Sequence, residues 1–142
     1  MMRFIMLGLL LVANAANATS IDEHTEDKAQ IRNLLHHLYA DGKDTHFSAE
    51  TYLYNYFLPA DLKRLHVVSG ANGERKKWNK MLQAFDVKNE RFQQYLEMLS
   101  NAEHASIKFF TGRTGESQAI IEVEAPRQPR FTKYQGKWYA SM

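Results

Sequence analysis

Apolar residues recur at helical spacing through the first two thirds of the chain and at strand spacing in the last third. Ile31, Leu34, Leu35 and Leu38 fall at i, i+3, i+4 and i+7 and predict an amphipathic helix from about Glu26 to Ala40. Glu26 and Asp27 in its first turn oppose the positive end of the helix dipole, and Asp41-Gly42 is expected to end it. Ser48 is a good N-cap for a second helix carrying Tyr52, Leu53, Tyr56 and Phe57, which Pro59 interrupts, and residues 60–66 can make one or two further turns. Residues 69–73 (SGANG) read as a loop. Trp78, Met81, Leu82 and Phe85 repeat the stripe; with Asp86 as the N-cap, Phe92, Tyr95, Leu96 and Leu99 repeat it again.

From Glu103 onward the period shortens to about two. Residues 104–111 (HASIKFFT) and 117–125 (SQAIIEVEA) are rich in β-branched and aromatic side chains, and the two glycines of residues 111–116 mark the reversal between them. In the second run Ala119, Ile121, Val123 and Ala125 point one way and Ile120, Glu122 and Glu124 the other, so one face is buried and one is wet. After the break at residues 126–129 (PRQP), residues 130–134 and 137–141 form a hairpin around Gln135-Gly136. Helices first and antiparallel strands last predict an α+β domain, its N-terminal helices packed on one face of a curved C-terminal sheet of about three to five strands.

The start of the chain changes where that domain begins. Met1 to Arg3 is a short basic segment, residues 4–12 (FIMLGLLLV) are apolar, and residues 13–18 (ANAANA) put small residues at alternate positions. That is the pattern of a cleavable secretory signal peptide, with cleavage expected after Ala18. The apolar run is about half the ~20 residues a membrane-spanning helix needs. Residues 19–142 are then a single exported domain of 124 residues, expected in the periplasm or outside the cell and not membrane-spanning after processing.

Cysteine is absent, which excludes disulfides, thiol catalysis and cysteine-ligated metal. Without Arg3 the chain has 17 basic against 16 acidic side chains, a balance that does not describe a nucleic-acid binder. There is no HExxH zinc motif, no nucleophile elbow and no phosphate-cradling glycine loop, so no metal or cofactor is expected.

Residue by residue, three groups can carry chemistry or contacts. His37 and Asp41 are four apart on a helix, with His46 in reach from the next loop, a weak acid-base set. His36 and His37, being adjacent, point about 100° apart. Tyr54, Tyr56, Trp78 and Trp138 can line a ligand pocket or a partner surface, although most aromatics here sit on core stripes; Tyr54 fits its stripe least and is the preferred exposed one. Arg75, Lys76, Lys77 and Lys80, with Lys63 and Arg64 upstream, form a basic cluster suited to anionic lipid, wall polymer or an acidic protein, or simply to the wet face of a helix.

The opening helix ending Leu38-Tyr39-Ala40-Asp41, the segment Phe57-Leu58-Pro59-Ala60-Asp61-Leu62 and the terminal hairpin from Phe131 to Ala140 with Gly136-Lys137-Trp138 resemble the nuclear transport factor two-like (cystatin-like) superfamily, in particular its small exported bacterial members. The resemblance implies a cone-like shape with a hollow between helix and sheet that holds a ligand, houses an Asp or His for catalysis, or serves in dimerisation. Two departures stand out: the family's long early strand has only a weak counterpart at residues 65–69, and helices occupy residues 75–99 where members often have strands.

The first expectation for function is an exported non-enzymatic binding protein, holding a protein partner of the envelope, such as a toxin it blocks, or a small hydrophobic ligand. A homodimer is compatible with it. The alternative is a small acid-base enzyme of the isomerase, dehydratase or cyclase kind working through His37, Asp41 or His46.

Overall fold

The computed structural model describes residues 24–142; the expected export signal and its expected cleavage site lie outside the described residues. Among the described residues five α-helices precede four strands: α1 (Thr25–Gly42), α2 (Ala49–Tyr56), α3 (Pro59–Leu65), α4 (Lys76–Ala84), α5 (Glu90–Asn101), β1 (Ile107–Thr111), β2 (Ser117–Ile121), β3 (Arg130–Tyr134) and β4 (Lys137–Ser141). The fold is α+β, with the strands in one antiparallel sheet of order β1-β2-β3-β4.

Three of the described helices start where a cap side chain or a proline favours it. The Ser48 hydroxyl accepts from the Thr51 N–H at the head of α2, and Pro59 takes the first position of α3, where its missing N–H costs nothing. The cap of α5 is Asn89, whose side chain accepts from the Arg91 N–H at 2.9 Å. Asp86, expected in that role, instead accepts from the Lys88 N–H at 2.9 Å and closes an Asx turn ahead of the helix. Helix α1 runs two residues past the expected end, because Asp41 and Gly42 keep helical bonding and Lys43 provides the C-cap.

Strand register fixes which side chains face the helices. Phe109, Ala119, Phe131 and Ala140 are aligned across the four strands, with Ile107 opposite Ile121 and Lys133 opposite Trp138 on the same face. That face meets Ile31, Leu34, Leu35 and Leu38 of α1, Leu53 of α2 and Phe92, Leu96 and Leu99 of α5 in one continuous core. Helix α1 packs against α2, α5 and β4. The gap between helices and sheet is therefore filled: Ile31, Leu38, Leu53, Leu96, Ile121 and Phe131 are essentially inaccessible.

Two strands are shorter than their sequence period suggests. Strand β2 ends at Ile121: the Glu122 N–H still bonds to the Ser106 carbonyl in register with β1, but the N–H of Val123 turns back to Ile121. Val123 and Ala125 leave the ladder there. Residues 102–105 continue the end of α5 as a turn, so β1 begins only at Ile107. Residues 65–69, the weak early-strand candidate, are the end of α3 and a loop, and among the described residues no strand precedes β1.

Two ties close the structure. The Leu58 N–H donates to the Ala140 carbonyl at 2.8 Å, and buried Asp61 accepts from Arg64 and, at 3.0 Å, from the Met142 N–H. Both hold α3 to the end of β4.

Candidate functional site

An opening with a predominantly apolar wall lies where the filled core reaches the surface, between α4 and α5 on one side and the ends of β3 and β4 on the other. It is a groove of about 560 Å³. Met81 and Phe85 from α4 and Tyr95 and Met98 from α5 form one wall; Phe131 and Pro129 form part of the other. Arg127 and Arg130 stand at its rim, with Met142 at its end. Amphipathic packing explains the wall. The stripes of α4 and α5 turn inward, but the short β2 and the looped residues 122–129 leave their outermost members without a covering strand. None of the lining residues is a histidine or a carboxylic side chain.

This groove was legible only as core. Met81, Phe85 and Tyr95 stand on the helical stripes, and nothing in their spacing says that a stripe will outrun its cover. The two methionines and the Pro-rich break opposite them are the sequence signals that mark an adaptable apolar site in hindsight.

The acid-base candidates sit at another corner and do not form one cluster. Asp41 and His46 line a pocket of about 280 Å³ together with Asp44, Ser48, Thr51 and Tyr56. His37 opens into a neighbouring pocket of about 490 Å³ bounded by Asn33, Asn55, Tyr56, Lys137 and Trp138. Tyr56 stands between them: its hydroxyl donates to the Asp41 carboxylate, and its ring stacks on His37 with centroids 6.5 Å apart. Burial, the hydrogen bond to Asp41 and the charge of Asp41 push the Tyr56 phenol up to about 12, so it stays protonated at neutral pH. The His46 side chain is 95% exposed, and its Nδ1 lies 3.2 Å from the Thr45 hydroxyl and 3.5 Å from the Asp44 carboxylate. Among the described residues no group of three or more His, Cys, Asp or Glu is placed to hold a metal ion.

The two tryptophans are buried. Trp138 is 3% exposed and donates its indole N–H to Asp27 at 2.9 Å, joining β4 to the first turn of α1. Lys133 donates to the same carboxylate oxygen at 3.0 Å. Burial alone would raise the Asp27 carboxyl, but the bonds from Trp138 and Lys133, the Lys133 charge and nearby His24 outweigh it and hold it below its ordinary value. Trp78 is 6% exposed and lies under His66, ring centroids 4.0 Å apart. Tyr54 is exposed, as its place off the stripe indicated, and its hydroxyl is 2.7 Å from the His66 Nε2. Arg75, Lys76, Lys77 and Lys80 are all exposed, at the start of α4.

Comparison with models of protein families, with curated proteins and with solved structures found no match. Among the described residues no helix is long and apolar enough to cross a membrane.

Proposed function

We propose that the chain is an exported, non-enzymatic binding protein that holds a small hydrophobic ligand in the groove between α4, α5 and the sheet end. One observation carries this reading: an opening of about 560 Å³ walled by Met81, Phe85, Tyr95, Met98 and Phe131, with no side chain in its lining suited to proton transfer near neutral pH. Methionine and aromatic walls adapt to apolar ligands of varied shape, and the rim arginines favour one that ends in an anionic group. The resemblance to exported members of the nuclear transport factor two-like superfamily is part of the proposal, supported by helices that precede an antiparallel sheet.

Titration with the anionic dye anilinonaphthalene sulfonate tests it. The expected result is saturable binding of one dye per chain, displaced by a long-chain fatty acid, with near-ultraviolet circular dichroism intact so that dye uptake by a loosened core is excluded. Met98→Gln places a polar group in the wall and should weaken binding about tenfold, equivalent to about 1.4 kcal/mol. Unchanged affinity in this variant would overturn the assignment of the groove.

The second reading rests on Asp41 and His46 sharing a pocket with the Tyr56 hydroxyl. It is an acid-base enzyme. Asp41→Asn, which keeps the shape of the site, would abolish turnover if that reading holds and leave ligand binding in the groove untouched if it does not.

A further inference from the structure

The chain's charge is close to balanced, 18 basic against 16 acidic side chains, yet between Lys63 and Lys80 it carries six cations and one acid, Glu74. The fold draws the two ends of this segment together. His66 at the end of α3 stacks on Trp78 of α4, and the Ser69 hydroxyl accepts from the Lys76 N–H at 3.2 Å, so the two helices and the loop between them form one unit. Arg64 is occupied by Asp61, whereas Lys63, Arg75, Lys76, Lys77 and Lys80 are exposed and form no ion pair among the described residues. Directly after α3, at the start of the loop, stand the two most exposed large apolar side chains among the described residues, Val67 at 61% and Val68 at 56%, with Tyr54 at 52% beside His66.

We infer that this surface docks the protein on an anionic lipid bilayer, with Val67 and Val68 inserted among the headgroups and Lys63, Arg75, Lys76, Lys77 and Lys80 over the anionic lipid phosphates. Two features together select a bilayer. Unpaired cations attract any polyanion, but two neighbouring valines held out in water gain only where an apolar phase lies behind the charge. An exposed tyrosine beside them suits the boundary between headgroup and water. The cluster also bears a local cost, since Lys76 and Lys77 occupy the first turn of α4, where the helix dipole disfavours cations and no acidic residue offsets them. An anionic membrane surface reverses that cost.

Co-sedimentation with vesicles is the test, using the same N-terminus in every variant so that residues 4–12 contribute equally. Vesicles of phosphatidylcholine with phosphatidylglycerol should bind the protein more tightly than vesicles of phosphatidylcholine alone, and added salt should shrink the difference. Replacing Lys63, Lys76, Lys77 and Lys80 together by Gln should remove the preference for phosphatidylglycerol. Val67→Ser with Val68→Ser should keep the salt dependence but weaken binding at least about fivefold, the apolar contribution of two side chains. All these positions are exposed, and circular dichroism confirms that each variant is folded. Equal partition of the wild type and the four-lysine variant would overturn the inference. So would an effect of the lysines with none of the valines, coupled with equal competition by soluble dextran sulfate, which would assign the patch to a soluble polyanion.

Discussion

The indole N–H of Trp138 donates to the Asp27 carboxylate across 2.9 Å, spanning 111 residues of sequence to bind the last strand to the first turn of the first described helix. Lys133 bonds to the same oxygen from the neighbouring strand. Asp27 also stands where a helix favours an anion, so one side chain satisfies the dipole, the indole and the lysine together.

Asp27→Ala should therefore destabilise the fold by about 1–3 kcal/mol, most of it from the buried indole N–H left without an acceptor. The carboxyl is held below its ordinary value, so the unfolded state binds its proton first as pH falls. The stability it contributes is complete above the unfolded value near 3.8 and is lost as pH drops through the lower folded value. Urea unfolding at about pH 7 and about pH 3 should show a smaller pH effect in Asp27→Asn than in the wild type. An identical pH effect in both would remove Asp27 from acid denaturation.

Tyr52 answers at the other end of the pH range. It is 3% exposed, lies in the aromatic cluster with Phe47, Phe85 and Phe92, and donates its hydroxyl to the Leu38 carbonyl at 2.7 Å. Burial, then the nearby Tyr95, Tyr56 and Asp41, push its phenol far above the ordinary 10. A folded value above the unfolded one means stability is whole below about 10 and falls as pH rises beyond it, because only the unfolded chain ionises. Tyr52→Phe should cost about 1 kcal/mol at neutral pH through the lost hydrogen bond, yet lose less stability than the wild type on titration into alkali. Equilibrium unfolding at several alkaline pH values distinguishes the two slopes.

Gly42 ends α1 against α5 with no room for a side chain. A Cβ there would fall on a methyl of Leu96, itself 0% exposed. Gly42→Ala would gain about 0.5–1 kcal/mol in helix propensity and lose about 1–3 kcal/mol to overpacking, a net loss. Trimming Leu96 to Ala in the same chain should recover part of that loss, a coupling that a double-mutant cycle measures. Additive effects would show that the two residues do not meet.

The helix stripes were readable because burial acts on a period of 3.6, and residues such as Ile31, Leu38, Leu96 and Leu99 stand where that period put them. The hairpin was readable because Gln135-Gly136 sits between two alternating runs. Trp138 shows the limit. As an aromatic in a terminal strand it was equally suited to a partner surface, and only its distant acceptor Asp27 commits it to the core. Asp86 and Asn89 show a smaller one: both can cap, and the choice depends on where the chain can bring α5 down onto α1. The groove was not readable at all, since it exists where β2 stops short of Met98 and Tyr95, and the strand ends where the Val123 N–H turns back to Ile121 rather than where the apolar run ends.

The β3–β4 turn offers a gain in stability. Gln135 and Gly136 both have positive φ, 50° and 78°, between the paired residues Tyr134 and Lys137, the geometry of a two-residue type I′ turn. Glycine adopts that region freely, but glutamine is strained there, and its side chain offers only an exposed contact to the Tyr134 hydroxyl at 3.2 Å. Asparagine tolerates the left-handed region far better, so Gln135→Asn should stabilise the protein by about 0.5 kcal/mol, raising Tm by about 2 °C. Gly136→Ala should act oppositely, lowering stability by about 1 kcal/mol because its Cβ meets open space and only the backbone is strained. Thermal unfolding of the two variants beside the wild type decides it: a Gln135→Asn chain that melts at or below the wild type, with Gly136→Ala unchanged, would mean that the turn is not held in this conformation.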